Sequence, residues 1–221
     1  MARVRLLTDA ITRERYFLEP VTGIKFRRML GAIVWPYGEL DGCAVVLGET
    51  CSRQNIVGVR RHDLHKMEEY QSNSPTGLVD KLGLMTNDWM IRNWATPLCD
   101  QRAYLIEDAN DELRKQRRHV MRYGDPLGWS GKGEGLLLFY HALVQRRTEN
   151  EKTLFLGADS QCAAEIGKLK FEDARMSILE RPSAAALCFA VAEIDLNVKT
   201  EWGAGRFDGE SFGPADEMGG Y

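Results

Sequence analysis

Hydrophobic and polar positions along the chain fall into two regimes. Between Arg27 and Arg61, MLGAIVWP and GCAVVLGET are short apolar runs rich in β-branched residues; the turn-forming YGELDG separates them, and NIVGVRR follows a few residues later. Runs of this length punctuated by Gly, Pro and Asp read as strands, so an antiparallel three-stranded meander is predicted. From His62 to about Trp94 the spacing is helical instead. Ser74-Pro75 offers a cap and a first-turn proline, and Leu78, Leu82, Met85, Trp89 and Ile91 form an apolar stripe.

Further along, AYLI at 103–106 predicts a short strand, followed by a charged helix from about Asn110 to Arg122 and by the loop GDPLGWSGKGEG. A core helix is expected over Gly135 to Arg147, a buried strand at TLFLGA, a short helix at DSQCAAEIGKL and a strand at RMSILE. PSAAALCFAVAEI closes the pattern as a small-residue helix entered through Pro182. Strands alternating with helices imply parallel pairing through right-handed crossovers. The expected architecture is one α/β domain over 1–198: a mixed five-stranded sheet, three antiparallel strands then alternating helix and strand, with a helical insertion at about 62–132. Residues 199–221, rich in glycine and aromatics and carrying five acidic against two basic side chains, read as a flexible tail.

Composition narrows the function classes more than it selects one. With 221 residues, 44% hydrophobic and 28% charged, the chain can bury a core without metal or disulfide staples. A net charge of −3 gives no global attraction to nucleic acid or to anionic membrane. The N-terminal stretch lacks the apolar region of a signal peptide, and no run approaches the length of a membrane span. Cys43, Cys51, Cys99, Cys162 and Cys188 are odd in number and widely spaced, as expected of reduced thiols in a cytoplasmic protein.

Candidate chemistry is scattered. Asp159 follows a predicted strand and opens a helix, where α/β proteins place ligands and where aspartate also serves as an N-cap. Glu107, Asp108, Asp111 and Glu112 put four carboxylates within six residues, enough for a divalent cation and equally suited to a helix N-terminus. Arg114, Lys115, Arg117 and Arg118, with Arg122, are the one basic concentration in the sequence; from Asp111 to Arg122 five basic side chains meet two acids. Such a helix face could contact nucleic-acid phosphates or simply be solvated. His62 and His65 have a helical metal-ligand spacing with no matching half-site. The loop Gly131–Gly135 departs from the phosphate-loop pattern, with Pro126 at the first glycine position and Gly133 in place of the hydroxyl residue.

The order of elements resembles the RNase H-like fold, and within it the nuclease domains of phage terminase large subunits and related prophage proteins. The residues that carry the resemblance are LGAIVWPYGELDGCAVVLGE at 30–49, LFLGADS at 154–160 and SILERPSAAALCFAVA at 177–192, within a span of roughly 29–195. The resemblance implies metal-dependent nucleic-acid cleavage or binding, with Asp159, Glu107 and Asp108 as catalytic residues and as ligands of Mg²⁺ or Mn²⁺, and with the basic helix on the phosphates. Two-metal hydrolysis needs several carboxylates converging on ions about 3.5–4 Å apart. The family's first-strand aspartate is missing, and Trp35-Pro36 stands where an acid is expected. The alternative is therefore a catalytically degenerate structural or adaptor protein of the same fold that binds phage or host proteins, with the tail aromatics Trp202, Phe207, Phe212 and Tyr221 available to a partner. Neither reading involves a membrane.

Overall fold

A computed structural model describes residues 4–36, 38–56, 59–88, 93–95, 104–117, 122–124, 141–168 and 180–196. In chain order the elements are β1 (Arg5–Thr8), β2 (Arg15–Leu18), β3 (Lys25–Val34), β4 (Gly42–Ile56), β5 (Val59–Ser72), α1 (Pro75–Asp88), β6 (Asn93–Ala95), α2 (Tyr104–Lys115) and β7 (Arg122–Gly124). Then come α3 (141–150, π-wound over Arg146–Asn150), β8 (Leu154–Phe155), α4 (Gln161–Ile166) and α5 (Pro182–Leu196).

The sheet is mixed. β1 to β5 are successively antiparallel, and β8 lies parallel to β5. Along the other edge of β3, β2 pairs with its first residues, while β6 pairs in parallel with Gly31 and Ala32; β7 continues in parallel beside β6. Strand alternation divides the core. Leu30, Ala32, Val34, Cys43, Val45 and Leu47 face α5, α4 and Val144 of α3. Ile33, Trp35, Ala44 and Val46 face Leu78 and Leu82 of α1 and Leu113 of α2. Helices thus cover both faces of the sheet, as a mixed sheet with buried central strands requires.

The meander predicted at 29–61 is present, but its third strand is longer than the sequence pattern indicates. Residues His62–Ser72, expected to be helical, continue β5. A bulge between Val46/Leu47 and the facing Lys66/Glu68 breaks the two-residue period. Glu69 and Gln71 then bond to α4, its cap and α5 rather than to solvent, and Lys66 pairs with Glu69, which hides the strand from a hydrophobicity pattern. The described residues of 62–132 supply most of β5 together with β6 and β7, and also α1, which starts at the expected Ser74-Pro75 cap, and α2.

Tyr104–Ile106, expected as a strand, are the first turn of α2; so short an apolar run does not distinguish the two states. The strand at TLFLGA shrinks to Leu154–Phe155, whereas α4 and α5 fall where expected. The cap of α4 is Ser160, whose hydroxyl accepts from the Ala163 N–H, rather than Asp159. RMSILE (all but Glu180), the loop at Gly131–Gly135, Arg118 and the tail lie outside the described residues. Among those described, no helix is long and apolar enough to cross a membrane.

Candidate functional site

β8 pairs only with Leu64 and His65, so among the described residues β5 runs on from Lys66 without a strand beyond it. There, α4 turns off after Gly157, whose φ of +81° favours glycine, and leaves an open cleft of about 390 Å³. Lys66, Glu68, Glu69, Gln71, Asp159 and Gln161 line it. Glu69 is the best-held group. Its Oε2 accepts from Lys66 Nζ at 2.7 Å and Ser160 Oγ at 3.1 Å, and its Oε1 accepts from the Cys162 N–H at 2.9 Å. Burial acts to raise its pKa, but the hydrogen bond and charge of Lys66 outweigh that and hold it below the usual carboxylate value.

Glu165 does similar work one layer deeper. It accepts from Gln71 and Gln161, both at 3.2 Å, and from the backbone N–H of Ala184 at 3.0 Å, so a side chain of α4 caps α5. Gln71 also donates to Ser183 Oγ at 2.6 Å. The adjoining thiols are inert: burial pushes Cys43 up to about 12 and raises Cys162 and Cys188.

The expected ligand set does not converge. Asp159 lines this cleft with an exposed side chain, while Glu107 and Asp108 are exposed on α2, across the sheet. A divalent cation fits the cleft poorly, because both oxygens of Glu69 are engaged and the Lys66 ammonium already supplies the positive charge beside it. No group of three or more metal-ligating side chains occurs among the described residues. The basic helix is partly self-neutralised: Arg114 pairs with Asp111 at 2.6 Å and Lys115 with Glu112 at 3.6 Å. Arg117 is exposed just past the end of α2.

A second constellation, not apparent in the sequence, joins residues of five elements. Asp195, near the end of α5, is held by Arg147 through Nη2 at 2.6 Å and by Arg61 through Nη1 at 2.8 Å. Arg147 also donates to the His62 carbonyl at 3.0 Å. Glu151 forms ion pairs with Arg146 at 2.7 Å and Arg61 at 3.4 Å. The His62 imidazole extends the network outward. Its Nε2 accepts from Arg53 at 2.7 Å and lies 3.1 Å from Arg27, whose guanidinium shares Glu49 with Arg28. Two arginine donors on one ring nitrogen require a neutral His62 with its proton on Nδ1, which faces the Ser52 carbonyl at 3.1 Å.

Burial, reinforced by Arg27 and Arg53 and opposed by Glu49, holds the His62 pKa below 6.5, and burial does the same for His65, which stacks on Phe155. A depressed histidine pKa means that the unfolded state binds the proton more tightly. This contribution to stability is therefore complete above the ordinary imidazole value and is lost as pH falls through the folded-state values. Thermal midpoints should fall between about pH 7.5 and about pH 5, and His62→Gln should flatten the profile. An unchanged slope in that variant would remove His62 from the account.

Neither the scan against protein-family models nor the search of curated proteins gives a match for this chain.

Proposed function

We propose that the chain is an RNase H-like protein of the phage or prophage type, related to the nuclease domains of DNA-packaging terminases, and that it binds nucleic acid. The observation that carries this is the path β5-β4-β3-β6-β7: an antiparallel meander, then a fourth strand parallel to the meander's first and a fifth parallel to the fourth. α1 lies between β5 and β6 in sequence, and α2 between β6 and β7. Within a sheet that also holds β1, β2 and β8, this order supports the resemblance, with the alternating half drawn from 75–124 rather than from 154–192.

Metal-dependent cleavage with Mg²⁺ or Mn²⁺ has weaker support. β3 carries no acid, and in the carboxylate cleft beside β5 the Lys66 ammonium already pairs with Glu69. The second reading, a degenerate adaptor for phage or host proteins, is favoured by what replaces the acid. Trp35, one residue past β3, is 1% exposed and packs into the core.

The test pairs gel retardation of duplex DNA with Mn²⁺ calorimetry and plasmid nicking, on wild type and Asp159→Ala. The expected result is DNA retardation in the presence of a chelator that the substitution leaves unchanged. Nicking and saturable Mn²⁺ binding that both vanish in Asp159→Ala would make Asp159 a metal ligand of a nuclease. No retardation at all would favour the adaptor.

A further inference from the structure

Beyond Lys25, where β3 begins, β4 and β5 continue as a two-stranded ribbon that pairs only with itself among the described residues: Arg53 faces His62, Gln54 faces Arg61, Asn55 faces Arg60 and Ile56 faces Val59. Four residue pairs at about 3.3 Å each project the ribbon by roughly 13 Å. From Thr50 to His62 the sequence holds three arginines and no acid. Cys51–Asn55 and Arg60 are exposed.

The base of the ribbon is the arginine network, and it does not balance. Arg27 and Arg28 share one carboxylate, Glu49, and Arg61, Arg146 and Arg147 share two, Glu151 and Asp195. Arg53 is bonded to a neutral imidazole, and Arg60 has no ion pair among the described residues. A chain of net charge −3 thus concentrates uncompensated positive charge at one end. The guanidinium groups of Arg27, Arg28, Arg53, Arg61 and Arg147 there are fixed by hydrogen bonds, whereas Arg114 and Lys115 on α2 each have an acid within one helical turn.

From this we infer that the β4–β5 ribbon and its arginine base form the surface that takes the phosphate backbone of duplex nucleic acid, with Arg53 and Arg60 as direct phosphate contacts. The inference rests on the reading of the chain as a nucleic-acid binder and assigns the surface that does it. Guanidinium groups match phosphate oxygens with paired donors, and a two-stranded ribbon is narrow enough for a DNA groove. Ser52, Gln54 and Asn55 supply neutral donors and acceptors beside the charges.

The test measures fluorescence anisotropy of a labelled DNA duplex over a salt series, with wild type, Arg53→Glu/Arg60→Glu, the milder Arg53→Gln/Arg60→Gln, and Arg114→Glu/Lys115→Glu as a matched charge reversal elsewhere. Circular dichroism confirms that each is folded. In the ribbon reversal Kd should rise by about tenfold or more, and the slope of log K against log salt should become shallower by about 2. The glutamine pair should lose less, in the same direction, and the α2 reversal should stay within about twofold of wild type. Ribbon variants that bind like wild type, or an α2 reversal that loses as much as the ribbon reversal, would overturn the assignment while leaving nucleic-acid binding intact. A wild type that binds no duplex would overturn the binding reading as well.

Discussion

Asp195→Ala is expected to remove about 3–5 kcal/mol of folding stability, measured by urea unfolding followed by circular dichroism. The Arg147 side chain is 3% exposed and that of Asp195 4%, so the substitution leaves a guanidinium in the interior facing, among the described residues, the Thr153 hydroxyl and the His62 carbonyl. Desolvating a charge without its partner costs more than any hydrogen bond that remains can return. Asp195 also sits in the last turn of α5, where the helix dipole already disfavours a carboxylate, so Arg147 and Arg61 stabilise an acid in an adverse place. Since small domains are stable by only about 5–15 kcal/mol, the single variant should sit near the edge of folding. Replacing the pair together, Arg147→Met with Asp195→Leu, should recover most of the loss, because no unpaired charge remains buried. A single-variant loss below about 1 kcal/mol would show that water reaches Arg147.

Gly31→Ala should be among the most damaging one-carbon changes in the sheet, at about 3 kcal/mol, the upper end for overpacking. A Cβ at Gly31 would lie 2.4 to 2.7 Å from three ring carbons of Trp94, which packs across β3 from the neighbouring strand. The ring is buried and has little room to withdraw. In a Trp94→Leu background the same substitution should cost less than about 1 kcal/mol, a coupling that a double-mutant cycle reads directly. Equal costs in both backgrounds would mean that the strain lies in the backbone of β3 instead.

How far the sequence discloses this molecule depends on whether a segment's burial matches its polarity. β3, the first half of β4 and α5 are apolar where they are buried, and they are legible. β5 beyond Arg61 is not, because Glu69 and Gln71 are satisfied by α4 and α5 and Lys66 by Glu69, and a strand with polar groups turned inward has no hydrophobic period. β6 and β7 have three residues each, too few to show a period at all. The cleft is half legible: Asp159 marks its rim, but Glu69, which organises it, stands in a stretch whose spacing reads as helical. Arg114, Lys115, Arg117 and Arg118 are legible as a basic concentration because they are close in sequence. The larger arginine network escaped because its members come from β3, β4, β5, α3 and α5 and are gathered only by folding.

Twelve residues of α5 are buried, and its apolar side chains supply most of the cover for the β3–β4 face lined by Leu30, Ala32, Val34, Val45 and Leu47. That cover is encoded about 150 residues downstream of the surface it closes. During synthesis the meander therefore leaves the ribosome long before its lid exists, and one whole side of the sheet stays wet and adhesive until Leu196 has been added. A polypeptide built in this order depends on whatever holds nascent chains apart, and its yield in a cell will follow the interval between making Val34 and making Pro182 as much as the stability of the finished protein.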